Sequence, residues 1–576
     1  MFDIYVPMYI ERVPNRNSRP AILLREGWRE GKIIKKRTIA NLTDWPEHKI
    51  ETLRRLLKDE QMVSIHDAFV IERSIPHGHV EAVLGTIKNI GLDNIIASKR
   101  SRERDLVIAM IAERLIQPCS KLATTRLWHT TTLAEELGVS DADEDDLYDA
   151  MDWLLARQQK IEKKLSGRHL SEGSLILYDV TSSYYEGRTC PLARFGHNRD
   201  KKKGKLIIVY GLLTDDIGRP IAVEVYPGDT GDPSTVPDQV EKIRKRFGLN
   251  RVVLVGDRGM LTQTQLNKVK DYPGLGWISA LRSHAIRELV DGGQLQMSLF
   301  DEKNLAEIQS PYFPGERLVA CYNPILANER KQKRERLLAA TEKDLEKIVR
   351  EVARRTKTPL DKAEIGKKVG KIINRYKVGK HFRLEIENGA FSFSRNKETI
   401  AKESELDGIY VIRTSEPVEK ISAEDTVRNY KRLTQVEWLI RCMKGVDLLV
   451  RPIHHRTEEH VRAHIFLCML AYYVEFHMRK ALAPLLFEDE ELDEQRKNRD
   501  PIKPTKPSDS AKVKKKIRFT TDGFEVHSFQ TLISELATRC RNRCRVKSDL
   551  DGPTFIQLTE LTPIQKKAFE LLNCSQ

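Results

Sequence analysis

Two short apolar runs, Leu175-Ile176-Leu177-Tyr178 and Val252-Val253-Leu254-Val255-Gly256, each run straight into an aspartate, Asp179 and Asp257. Runs of this length, bounded by turn-forming residues, predict buried strands. A carboxylate at the end of a buried strand is costly unless it is paired, capped or metal-bound. Taken singly, each aspartate reads best as a turn or N-cap residue. Two of them in one sheet of a basic protein shift the balance toward metal.

The surrounding texture extends this sheet. Leu206 to Thr214, Ile221 to Tyr226, Trp277 to Leu281 and Ile409 to Ile412 also predict strands. Helical patterns at Thr235 to Phe247 and Thr262 to Asp271 lie between them, so the core is a mixed α/β sheet. Ahead of it, Ala21 to Arg25 and Lys32 to Ile39 predict a small β pair turning at Glu30-Gly31. A helix is expected after Pro46, and a helical stretch from Arg102 to Leu165, broken at Pro118. Asn328 to Arg355 predicts a long charged helix, and Arg383 to Phe393 a hairpin around Asn388-Gly389. Helices are expected over Ala423 to Gly445 and Glu458 to Leu486. The stretch from Glu488 to the run Lys514-Lys515-Lys516 reads as a flexible linker or surface tail.

A chain of 576 residues has room for several domains. Its net charge of +15 favours a polyanionic partner, because cationic side chains gain affinity for phosphates by releasing counterions. No run reaches the roughly 20 apolar residues of a membrane span. The start at Met1-Phe2-Asp3-Ile4-Tyr5 lacks the basic and apolar segments of a signal peptide. Cys540 and Cys544 form a lone CxxxC pair, which reads as free thiols sooner than as zinc ligands. Ser182 and Ser183 lack a base, and Asp229 and Asp232 read as turn formers.

A third carboxylate, Glu437, sits on a predicted helix face with Tyr430, Leu433, Arg441 and Lys444. That face suits either a salt-bridged solvent surface or an acidic ligand flanked by cations that hold phosphates. His454, His455, His460 and His464 read as packed or phosphate-facing residues, since nothing nearby completes a metal site.

Four segments carry a resemblance: Tyr178-Asp179-Val180-Thr181, Asp257-Arg258-Gly259-Met260, Tyr430 through Lys444, and Leu449 through Arg456. Together the chain resembles a DDE transposase of bacterial insertion sequences, in the branch with a β-rich insertion between the second Asp and the Glu. The resemblance implies an RNase H-like core with Asp179, Asp257 and Glu437 as the catalytic, metal-binding triad. The family's helix motif runs Tyr, Arg, Glu, Lys. Tyr430, Glu437 and Lys444 match three positions, but Leu433 occupies the arginine's place, with Arg432 beside it and Arg441 one turn beyond Glu437.

The activity so implied is cleavage at the ends of an insertion sequence and joining of the 3′ ends to target DNA. Two Mg²⁺ ions, with Mn²⁺ able to substitute, would serve the carboxylates. Tyr430, Arg432, Trp438, Arg441, Lys444, Arg451, His454, His455 and Arg258 are the expected DNA contacts, with Tyr430 or Trp438 stacking on an extruded base. The expected partners are double-stranded DNA (terminal inverted repeats and target) and a second copy of the chain in a synaptic dimer. The expected setting is the bacterial cytoplasm, at the nucleoid. Two other readings are a nuclease without strand transfer and a non-catalytic DNA-binding descendant of a transposase. The expected domains are an α+β region (1–95), a helical DNA-binding region (96–170), the two parts of the core (171–281 and 408–486), an insertion (282–407) and a basic C-terminal region (487–576).

Overall fold

The computed structural model describes residues 8–16, 18–60, 69–269, 272–300, 303–445, 447–546 and 553–574. The signal-peptide reading at residues 1–5 and the expected helix end at Asp271 lie outside them. The chain divides into two units, residues 1–74 with 541–559, and residues 75–540 with 560–576.

In the smaller unit, β1 (Met8–Val13), β2 (Ala21–Glu30) and β3 (Ile33–Asn41) form an antiparallel sheet. Helix Glu47–Leu56 covers it over a small core of Ile22, Leu42 and Ile50. After β4 (Phe69–Pro76) the chain passes into the larger unit at residue 75, short of the expected boundary at 95.

The larger unit is built on one eight-stranded sheet. Its central five strands are β5 (Leu175–Tyr184), β6 (Ile207–Thr214), β7 (Pro220–Pro227), β8 (Val252–Gly256) and β9 (Leu275–Ala280). They lie in the order β7-β6-β5-β8-β9. β6 runs antiparallel to both β5 and β7, while β8 and β9 run parallel to β5. Three antiparallel strands followed by two parallel ones make the RNase H-like arrangement. β6 and β8 are buried on both faces, which is why both read as unbroken apolar runs.

The sheet continues through β10 (Leu305–Ile308) and β11 (Arg317–Tyr322). The hairpin β12 (Phe382–Glu387) and β13 (Ala390–Arg395) stands apart from it, and β14 (Ile409–Thr414) joins β11 to β9. The insertion therefore does not start at 282, since residues up to Tyr322 complete the sheet. What stands apart is helix Pro324–Arg354, helix Lys362–Ile373 and the β12–β13 hairpin, packed around Leu338, Leu345, Ile348, Ile365 and Phe391.

Helix Glu458–Leu482 is buried along most of its length against β7 and helices Arg102–Ile116 and Glu144–Leu155. Helix Leu433–Lys444 packs on β5. The single helix expected over 423–445 is two, Ala423–Lys431 and Leu433–Lys444. At the joint, Arg432 N and Gln435 N bond three residues back, the tighter turn that ends one helix and redirects the next. The expected flexible tail is also ordered. Helices Leu492–Asn498 and Asp509–Ile517 are tied down by Lys514 to Glu490 at 2.8 Å and by Ser508 N to Asp489 at 2.8 Å. Finally β15 (Cys540–Val546) pairs with β16 (Phe555–Leu558), and the two complete a sheet with β4. No helix among the described residues is long and apolar enough to cross a membrane.

One close approach supports the strand that carries Asp179. Gly211 in β6 lies against the buried ring of Tyr178, and a Cβ there would stand 2.3 Å from the phenol oxygen. That oxygen donates to Thr235 Oγ1 at 2.8 Å, so the ring has little room to yield. Gly211→Ala is expected to lower unfolding free energy by about 1–3 kcal/mol, the usual cost of overpacking. Urea denaturation checks this, and an unchanged midpoint would exclude the clash.

Candidate active site

Asp179 sits within β5, where the Val180 N–H donates to its Oδ1 at 2.8 Å. Asp257 follows β8 directly, and its carbonyl accepts from Met260 N at 2.9 Å, closing the turn that leads out of the strand. Because β5 and β8 are parallel neighbours, with Tyr178 opposite Gly256, the two aspartates emerge side by side. Glu437 comes from helix Leu433–Lys444. All three line one cavity of about 350 Å³, together with His197, Arg199 and Asp232.

The vertical alignment of Glu437 with Asp179 is set by Lys444. This side chain is only 8% exposed, and its ammonium donates to Ser182 O at 2.5 Å and Thr181 Oγ1 at 3.1 Å while pairing with Asp200 at 2.7 Å. From Lys444 back to Glu437 is seven residues, about 10.5 Å along the helix axis. From Ser182 back to Asp179 is three residues, about 10 Å along the strand. The two distances agree, so anchoring Lys444 at Ser182 brings Glu437 level with Asp179. Asp200 is in turn buried between Lys444 and Arg451, and it accepts from Tyr184 N at 3.0 Å.

Charge crowding marks the cavity. Burial, with additions from Asp257 and Glu437, pushes the Asp179 carboxyl up to about 7, against the opposing pull of the Val180 N–H and Arg199. Tyr430 donates to Asp257 Oδ1 at 3.3 Å and steadies it from the preceding helix. Arg199 pairs with Asp232 at the cavity wall. These hard oxygen donors, gathered at the cost of mutual repulsion, fit a divalent cation. Their oxygens do not all approach within 4.8 Å, as the Cys442 sulfur and the Asp447 and Glu475 oxygens do. In that tighter cluster the Arg479 guanidinium already supplies the positive charge, at 2.6 Å from Glu475 and 3.2 Å from Asp447.

The expected DNA contacts fall into separate places. Arg258, Arg441 and His454 are exposed. Trp438 is 44% exposed but turns away from the carboxylates into a groove with Tyr472 and Phe476, with the Arg441 guanidinium over its ring at 5.6 Å. Lys444 and Arg451 are engaged by Asp200, and Lys444 points into the fold, where no phosphate reaches it. Arg432 is held by Asp216. His455 packs against His464 and Tyr148, and burial beside Lys121 and Arg114 pushes its pKa down to about 3, so it stays neutral. Leu433 is buried.

Three cavity residues were not foreseen as site residues. Asp232, an expected turn former, does open a short helical turn but also faces the carboxylates. His197 and Arg199 come from the loop between β5 and β6. Its basic run, His197 to Lys205, was the available signal, and the loop is pinned by Arg199 N donating to Ser182 Oγ at 3.2 Å.

The Transposase DDE domain family matches residues 171–474, more than half of the chain and all three carboxylates. The chain belongs to the DDE transposases. The N-terminal domain family of IS1634 transposases matches residues 10–64, consistent with an insertion-sequence element. No curated protein matches. Among solved structures, a piggyBac transposase in a synaptic complex with hairpin DNA is similar over 86% of this chain and 82% of its own, at 10% identity and a TM-score of 0.33. The fold assignment rests on the strand order, not on that likeness. This transposase is thus a DNA-binding enzyme that depends on divalent metal.

Two outcomes follow from the geometry. Lys444→Met leaves Asp200 short of a partner in a buried site, and is expected to lower stability by about 3 kcal/mol and to lose cleavage through displacement of Glu437. Wild-type stability in urea together with wild-type cleavage would refute the anchoring role. The second concerns Asp179. An unfolded aspartate titrates near 3.9, so the metal-free folded protein holds this proton more tightly than the unfolded chain does. The stability it contributes is complete below about pH 4 and is lost as pH rises to about 7. Asp179→Asn is expected to melt with the parent near pH 4 and above it at about pH 8, in chelator. Parallel melting curves at both pH values would contradict the shift.

Proposed function

We propose that Asp179, Asp257 and Glu437 are the catalytic carboxylates of this transposase and that they hold two Mg²⁺ ions, for which Mn²⁺ can substitute. The observation that carries this reading is the convergence of the three on one cavity from two parallel strands and the helix packed on β5. When bound, such ions activate an attacking water or 3′-hydroxyl and stabilise the leaving oxygen of a phosphodiester.

The chain's own residues prepare that chemistry. Tyr430 fixes the rotamer of Asp257 through its hydroxyl. Lys444 and Asp200 hold Glu437 in register, acting from behind the site. Arg199, at the cavity wall, offers a guanidinium to a phosphate oxygen, and it does so in place of the motif arginine replaced by Leu433. Arg258, Arg441 and His454 remain as exposed contacts for the DNA flanking the cavity. The substrates of this reading are the terminal repeats of the element and a target duplex in the nucleoid. Two copies of the chain would synapse the two ends.

Asp179→Ala, Asp257→Ala and Glu437→Ala are each expected to lower end cleavage and joining at least about a thousandfold, ~4 kcal/mol of barrier, while DNA binding persists. A gel assay with Mg²⁺ on DNA carrying the element's ends reads both nicked and joined products. Retained cleavage in any one of the three variants would overturn the triad, and cleavage without joined products would limit the enzyme to a nuclease.

A further inference from the structure

Helix Pro324–Arg354 carries an exposed row of cations that the catalytic cavity does not use. Lys333, Arg336, Lys343, Lys347, Arg350 and Arg354 recur at alternating steps of three and four residues, the remaining place in the row being Ala340. All six are exposed, whereas Leu338, Leu345, Ile348 and Val352 on the other side fill the core of the insertion. Steps of three and four keep side chains on one face of a helix. Here that periodicity, normally the mark of an apolar seam, is written in positive charge.

The acidic residues of the same helix are mostly engaged elsewhere. Arg395 clasps Glu342 at 2.7 Å and Glu335 at 2.6 Å, and Lys368 meets Glu351 at 2.9 Å. Within the row, Lys347 pairs with Asp344 at 2.7 Å and Arg350 with Glu346 at 3.2 Å. Those cations are about two-thirds exposed, so such pairs are weak and readily exchanged for a phosphate. Lys333, Arg336, Lys343 and Arg354 have no ion-pair partner among the described residues. Lys347, Arg350 and Arg354 also border a surface hollow of about 360 Å³.

From Lys333 to Arg354 the row climbs 21 helical rises, about 31 Å, which spans roughly nine base-pair steps of 3.4 Å. We propose that this face of the insertion is a second contact with duplex DNA, gripping the phosphate backbone without reading sequence. It rests on the transposase reading above, and it assigns to the insertion a binding role separate from the carboxylate cavity.

The test uses the full chain and a duplex of arbitrary sequence about three helical turns long. Binding is measured across a salt series for the parent, for the triple variant Lys343→Gln, Arg350→Gln, Arg354→Gln, and for the charge-keeping variant Lys343→Arg, Arg350→Lys, Arg354→Lys. The glutamine variant is expected to flatten the log–log salt slope by about 2.7 and to weaken binding at least about tenfold, with the charge-keeping variant close to the parent. An unchanged slope in the glutamine variant would overturn the inference. So would equal losses in both variants, which would mark a structural effect. Failure of the underlying reading looks different, since the parent would then fail to cut DNA carrying the element's ends with Mg²⁺, whatever the slopes.

Discussion

A single buried ammonium holds the geometry of the carboxylate cavity together. Lys444 reaches from the last turn of its helix toward β5, where Ser182 O and Thr181 Oγ1, with Asp200 of the following loop, take up its three donors. A buried lysine is expensive unless every donor is met, and here burial lowers its pKa while Asp200 pulls the other way. The arrangement therefore tolerates only one sliding position of helix against strand. Through it, a lysine buried behind the cavity dictates where Glu437 stands. The same Asp200 braces Arg451 and the loop that carries Arg199, so one carboxylate ties the helix, the strand and the cavity wall together.

The cavity built on this anchor is electrostatically unfavourable when no cation is present. Asp179 is itself poorly solvated and faces the more exposed Asp257 and Glu437, and its raised pKa expresses its own burial first and their charges second. Folding energy from the two-faced burial of β5, β6 and β8 outweighs it. The contrast with Cys442, Asp447 and Glu475 is instructive. There the carboxylates draw close because Arg479 pairs with both, whereas at the cavity Arg199 pairs with Asp232.

Much of the core was legible in the residues. Apolar runs ending on Asp179 and Asp257 marked two strands, and Asn388-Gly389 marked the β12–β13 hairpin, because turn chemistry and burial on both faces leave local signatures. Side-chain direction was less legible. Lys444 shares a helical face with Glu437, yet one is buried in an ion pair and the other faces the cavity, since the partner that decides between them, Asp200, lies far away in sequence. His455, an expected phosphate contact, instead packs against His464 and Tyr148. The segment 488–516 has a disordered composition, but ion pairs such as Lys514–Glu490 order it.

Local sequence settled which residues could do chemistry: aspartates closing apolar runs, a helix glutamate and an excess of cations, although the strand expected to end at Asp179 continues to Tyr184. Only the folded chain decided which of them meet. That choice depends on strand order, on the break at Arg432 that re-aims the second helix, and on the register locked by Lys444. Each of these arises from contacts between residues distant in sequence, which no local pattern encodes.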